Sequence, residues 1–302
     1  MSMICSRIAC VLLVALTAAT TAPAVTHAQD DLSYGQEAST AAAHGPGVRA
    51  ELSGFFNNLA VQGSYPFRLA WHEPGRAVLG AGVLAGLVML DPAIHDATGA
   101  DASSGLGGWG HSMAKIGGGT YTLPLIAAFG VAGILGNSRE SDTAILLAES
   151  AASTGLWTAA IKEVSRRTRP RETVEGDGDW NGPGAAFAED PVGSHGLQSF
   201  PSGHSSGTWA VATVLAHQYP TGHVVPILAY TGAAAMSYSR MVIDAHWFSD
   251  VVVGALIGYG CARQTIGTRE AREADSSGNS HPLHVYLDMG NGYHGVGLSY
   301  GL

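Results

Sequence analysis

Three short stretches of this chain hold residues whose types and spacing suit phosphoryl chemistry. In the first, Lys162, Arg166, Arg167, Arg169 and Arg171 crowd into ten residues, although the whole chain sets only 15 Lys+Arg against 24 Asp+Glu, a formal net charge of -9. An acidic chain that gathers its positive charge in one place is equipped to bind an anion there, although a solvated basic helix end has the same composition. In the third stretch His246 and Asp250 stand four residues apart, so on a helix they share a face. The expectation is that the Asp250 carboxylate accepts a proton from one ring nitrogen, fixes the tautomer and frees the other nitrogen to attack. A structural His-Asp cap has the same spacing. The middle stretch, Pro201-Ser202-Gly203-His204, looks like a loop entering a helix, with Ser202 as N-cap and Gly203 leaving room for close backbone approach. Amides at such a start point toward any anion docked there. His204 would lie beside it, its pKa lowered by the positive helix end and raised again by a bound phosphate.

These stretches need helices to position them. Six apolar segments supply candidates: Ala77 to Leu90, Tyr121 to Leu135, Thr143 to Ile161, Thr208 to Ala216, Val225 to Met236 and Val251 to Ala262. Most are shorter than the roughly 20 residues of a membrane span, which favours buried helices of an all-α bundle, soluble or peripheral. The 41 glycines and abundant alanine suggest closely packed helices. Ahead of them, Arg7 precedes an uncharged run from Ile8 to Ala28, the pattern of a secretory signal peptide spanning 1-28, with an uncleaved anchor as the alternative. Residues 29-75 form a polar extension with one apolar stretch near Phe55 to Val61 that suits a short helix. Residues 76-264 form the helical core, and 265-302 a polar linker followed by a C-terminal β-hairpin around Gly290-Asn291-Gly292. Cys5, Cys10 and Cys261 leave one cysteine after cleavage, too few for an internal disulfide. Export is expected, to the periplasm in a Gram-negative cell.

Taken in order, the three stretches resemble the signature of the phosphatidic acid phosphatase type 2 and vanadium haloperoxidase superfamily, K-x6-RP, then PSGH, then SR-x5-H-x3-D. Lys162, Arg169 and Pro170 match the first part, Pro201 to His204 the second, and Ser239, Arg240, His246 and Asp250 the third. The resemblance implies a helical bundle of that type and a phosphatase acting on a phosphomonoester or lipid phosphate without a metal or other cofactor. In it, His246 would take the phosphoryl group as a phosphohistidine, Asp250 would orient it and His204 would protonate the leaving oxygen. Lys162, Arg169 and Arg240, with Ser202 and the Gly203 amide, would hold the non-bridging oxygens, since a loose phosphoryl transition state asks mainly for positioning and fixed charge. The superfamily contains soluble acid phosphatases and integral lipid phosphatases, which leaves membrane association open. A haloperoxidase, with vanadate as its cofactor bound at His246, is the first alternative. A non-catalytic anion-binding or membrane-scaffold protein is the second.

Other features point less far. The acidic segment Glu172 to Phe200, which joins the first two stretches, is expected to lie over the pocket and shape the leaving-group site. His72, His111 and His195 lack metal-site spacing and suit surface or core positions. No basic stripe with interleaved aromatics suggests nucleic acid as a partner. Oligomeric state has no sequence signal here.

Overall fold

The computed structural model describes residues 48-98, 104-117, 119-136, 138-173, 176, 178-183 and 196-276, with the backbone of 284-290 and 293-299. The signal peptide and residues 29-47 of the polar extension lie outside the described residues, as do Glu175, Asp177, Glu189, Asp190 and His195. Eight helices make up the described fold: α1 (Val48–His72), α2 (Pro74–Thr98), α3 (Gly105–Ile116), α4 (Gly119–Ile134), α5 (Ser138–Ser165), α6 (Gly203–Gln218), α7 (Val224–Val242) and α8 (Phe248–Ser276). The all-α class follows from them. Backbone alone pairs His284–Gly290 with Tyr293–Ser299. A lone two-stranded ribbon is marginal in water, and this pairing does not support the expected β-hairpin as an element of the fold.

Helix α6 is the centre of the bundle, packed against α5, α7 and α8, and α5 also meets α4 and α8. The innermost cluster joins Leu146 and Leu147 of α5, Ala210 and Val214 of α6, and Ala262 and Ile266 of α8. Glycine sets how closely α6 and α8 approach. A Cβ on Gly254 would lie 2.5 Å from the Ser202 carbonyl oxygen, and one on Gly258 would collide with the Ser206 carbonyl, both backbone atoms that no side-chain rotation can move away. Gly258→Ala is therefore expected to destabilise the fold by about 1–3 kcal/mol, read as a lowered midpoint in thermal or denaturant unfolding. An unchanged midpoint would mean that the two helices can part without penalty.

Two helices exceed what the sequence pattern suggests. The chain from Val48 to His72 is one 25-residue helix, where one short helix was expected, and it packs against α2, α8 and α5. Trp157 packs over Gly63, and its Nε1 donates to Gln62 Oε1 at 2.9 Å. Helix α8 runs on to Ser276 through the stretch expected to be a polar linker, since Thr265 and Ile266 are buried and Arg269 reaches Asp142 at 2.9 Å and Glu273 at 3.0 Å. Helix α3 carried no apolar run. It starts where Ser104 Oγ accepts from the Gly107 amide at 3.1 Å.

By length and composition α2 and α5 are long and apolar enough to cross a membrane, and the bent pair α3/α4 would make a third such segment if taken as one. Much of α2 faces outward, with Val78, Leu79 and Met89 exposed at 72%, 68% and 80%. A preference for a soluble or peripheral protein is thus not supported. The short apolar runs understate these helices because glycine, alanine and single polar residues interrupt the hydrophobic count without ending the helix.

Candidate active site

The three signature stretches meet at one end of α6. Chain geometry brings them there in two ways. The amide of Ser202 donates to the Asp250 carbonyl at 2.9 Å, which ties the start of α6 to the start of α8, and the amides of Ala245 and His246 donate to the Arg240 carbonyl at 3.0 and 3.2 Å, which folds the end of α7 back toward it. Ser202 is the N-cap of α6, its Oγ accepting from the Ser205 amide at 3.4 Å. It is fully buried, so this hydroxyl is engaged in the fold. A Cβ on Gly203 would make only ordinary contact, 3.9 Å from Lys162 Cε, so protein packing does not demand the glycine. The amides of Gly203 and His204, in the first turn of α6, have no carbonyl one turn earlier to bond.

His246 lies just before α8 and is 4% exposed. Its Nδ1 bonds the Ser199 carbonyl oxygen at 2.7 Å. A carbonyl can only accept, so Nδ1 carries the proton and Nε2 holds a lone pair. That Nε2 is 3.3 Å from Arg169 Nη1. The expected His246–Asp250 hydrogen bond is not what fixes the tautomer: Asp250 Oδ2 is 3.7 Å from Nδ1, close enough for charge to be felt and too far to bond. The reason is that His246 precedes α8, and Asp250 lies in the first turn of that helix. Asp250 reaches back to the Trp247 amide at 2.9 Å as an N-terminal cap and accepts from Ser199 Oγ at 2.5 Å and Arg167 Nη1 at 2.8 Å.

Basic side chains cluster around this second ring nitrogen. Lys162 Nζ and Arg169 Nη2 both donate to the Gln198 carbonyl, at 2.5 and 3.3 Å, and Arg169 Nη1 also donates to the Ala245 carbonyl at 2.6 Å. Arg240 is 8% exposed, and its Nε and Nη1 have no hydrogen-bond partner among the described residues. Buried donors normally find partners, so this pair of unmet N–H groups suits an incoming anion. Burial, then Arg169 and Arg171, lower the Arg240 pKa to about 10, which leaves it charged at neutral pH. Burial, then the nearby cations Lys162, Arg169 and Arg240, hold His246 well below the usual histidine range, so its ring stays neutral. His204 is lowered to about 4, again by burial first and Arg240 second. The direction matches the sequence expectation, but the cause is burial and a guanidinium more than the helix end. His204 Nε2 lies 3.1 Å from the Ala114 carbonyl of α3.

The structure also brings in residues that the motifs do not name. Arg167 is fully buried, stacked between the rings of Trp180 at 4.7 Å and Trp247 at 5.2 Å. Its Nη2 reaches Asp91 Oδ2 of α2 at 2.7 Å. Asp91 in turn accepts from the amide and hydroxyl of Ser249 at 2.8 and 2.5 Å. A lone carboxylate closing the apolar run of α2 was the available signal. The described part of the 172-200 segment folds back on residues 166-168, with Thr168 donating from its amide to Asp179 O at 2.9 Å, and puts Trp180 over Arg167. His72 and His111 are exposed, on α1 and α3. Among the described residues, no group of three or more His, Cys, Asp or Glu side chains is placed to hold a metal ion.

Residues 143–273 match the family described as the PAP2 superfamily, and this range contains all three signature stretches. Over 62 residues the chain is 42% identical to an acid phosphatase of Zymomonas mobilis, a match that covers 20% of this chain and about a fifth, 22%, of that protein's length. Two solved structures are similar. The Aquifex aeolicus LpxE is 23% identical with a TM-score of 0.39, covering 52% of this chain and 83% of that one. The transmembrane PAP2-type phosphatidylglycerolphosphate phosphatase of Bacillus subtilis is 22% identical with a TM-score of 0.41, covering 73% and 96%.

Proposed function

We propose that the protein is a phosphatase that moves the phosphoryl group of a phosphomonoester, lipid phosphate included, first to His246 and then to water. The observation that carries this reading is the pairing of a neutral, lone-pair-bearing His246 Nε2 with a buried Arg240 whose Nε and Nη1 are unmet, beside Arg169 and Lys162. Nε2 attacks phosphorus, the bond to the leaving oxygen breaks, and His204 supplies the proton that this oxygen takes up. With Nε2–H donated to Ala114, Nδ1 of His204 is left to hold the transferable proton. Water then attacks the phosphohistidine, gives its proton to the neutral His204, and the P–N bond breaks to release phosphate. Arg169, Arg240, Lys162 and the first amides of α6, those of Gly203 and His204, hold the oxygens on which charge gathers.

What surrounds the site supports a lipid phosphate as substrate. Helices α2 and α5 are the segments suited to crossing a bilayer, and Lys162 sits in the last turn of α5. A site at the end of such a helix would meet phosphates at a membrane face, on the exported side if the leader acts as a signal.

The test is phosphate release by purified protein in EDTA, comparing a soluble aryl phosphate with micellar phosphatidic acid. Turnover of both is expected, with the lipid preferred. A folded protein that turns over neither sinks the proposal, and activity that EDTA abolishes sinks its metal-free chemistry.

A further inference from the structure

Resting on the phosphatase reading above, we infer that Arg167 and Asp91 are positioning residues for the nucleophile, acting on His246 through Asp250 and Ser199. The path can be followed bond by bond. Asp91 Oδ2 holds Arg167 Nη2 at 2.7 Å, and Arg167 Nη1 holds Asp250 Oδ1 at 2.8 Å. Asp250 Oδ2 accepts from Ser199 Oγ at 2.5 Å, and the Ser199 carbonyl accepts from His246 Nδ1 at 2.7 Å. Arg167 grips Ser199 a second time, since its carbonyl accepts the Ser199 amide at 2.9 Å. The carbonyl that sets the tautomer and tilt of His246 is thus fixed by one residue that never touches substrate.

Charge and burial explain why this arrangement is costly to disturb. Arg167, Asp91 and Asp250 are all fully buried. A guanidinium between two carboxylates, planar and able to bond both at once, satisfies each with directed hydrogen bonds that a lysine cannot copy. Asp91 also takes the Ser249 amide, in the first turn of α8, where a negative group is favoured by the helix dipole. One carboxylate from α2 therefore fixes both Arg167 and the start of the helix that follows His246. Asp91 lies outside the three-part signature, and Arg167 falls at one of the unspecified positions of its first part.

The experiment compares Asp91→Asn and Arg167→Lys with wild type in two readouts: steady-state kinetics on the aryl phosphate, and the tautomer of His246 from 15N shifts of labelled histidine. A misplaced nucleophile loses rate without losing the cation cradle, so kcat is expected to fall about 10²-fold while KM stays within about threefold. His246 is expected to leave a single Nδ1–H tautomer for a mixture. Asp91→Asn keeps the side-chain shape, so it serves if Arg167→Lys does not fold. Equal losses in kcat and in folded fraction by thermal melt, or an unchanged tautomer in the folded variants, would overturn the inference. If wild type turns over no substrate, the phosphatase reading fails, and the tautomer comparison still decides whether Arg167 and Asp91 position His246.

Discussion

His246→Ala is expected to lower kcat on any phosphomonoester by at least about 10⁴-fold while inorganic phosphate still binds. The size follows from what the side chain supplies. The ring is neutral because burial and three nearby cations disfavour a second proton, and Nδ1 is committed to Ser199, so Nε2 keeps its lone pair, which accepts from Arg169 Nη1 at 3.3 Å until a phosphate takes that donor. The other lone pair near Arg169 and Arg240, on Nδ1 of the neutral His204, is the one that carries the proton, and a water in the space vacated by His246 would lack both the alignment and the activation. Enzymes that lose a nucleophile commonly keep only the portion of catalysis that comes from binding and charge stabilisation. Lys162, Arg169 and Arg240 remain in the variant, so anion affinity should change little. Direct evidence would come from rapid quench with labelled substrate: wild type should yield a protein-bound phosphate that is stable in alkali and lost in acid, as expected of a phosphohistidine, and the variant none. A variant retaining more than about a hundredth of wild-type turnover would remove His246 as the nucleophile.

The chemistry of this site was legible in sequence to the extent that it resides in charged side chains at fixed spacing. Lys162, Arg169, Arg240, His204 and His246 needed no fold to be singled out, because few residue types do such work and the chain has few cations. The helices that carry or flank them were also visible, since α5 to α8 each contain an apolar run. What escaped was everything set by contacts distant in sequence. Asp91 is 76 residues from Arg167 and 158 from Ser249, and nothing local marks it apart from an acidic residue ending an apolar stretch. Ser199 matters through its carbonyl, a group that every residue carries and that no motif can flag. The His246–Asp250 spacing suggested a direct hydrogen bond, but a helix that starts after His246 turns the carboxylate toward the amide of Trp247 instead. The length of α1 and the end of α8 were hidden for a related reason, because Trp157 and Asp142, on α5, supply the contacts that hold them helical.

His204→Ala is expected to lower turnover by about 10²–10⁴-fold on an alkyl phosphate and far less on an aryl phosphate whose leaving group is already stable as an anion. The argument turns on where the proton comes from. In the free protein His204 is lowered to about 4, chiefly by burial and by Arg240, so it is neutral at pH 6. A phosphomonoester loses its second proton near pH 6, so at or below that pH much of the substrate arrives as a monoanion carrying the missing proton. Once bound, the phosphate charge offsets Arg240 and draws that proton onto His204, which then stands ready to give it to the leaving oxygen. The sign for pH dependence follows: kcat/KM should hold below about pH 6 and fall as pH rises past it, even though the free histidine titrates lower. Arg240→Gln removes the second cause of the low value, so the free His204 pKa should rise and the variant should bind its proton before substrate does. A histidine titration by NMR in that variant measures this directly. Two results would sink the role: equal losses on alkyl and aryl substrates in His204→Ala, which would make His204 a structural group of α6, or an alkyl-phosphate profile that does not fall above pH 6 in wild type.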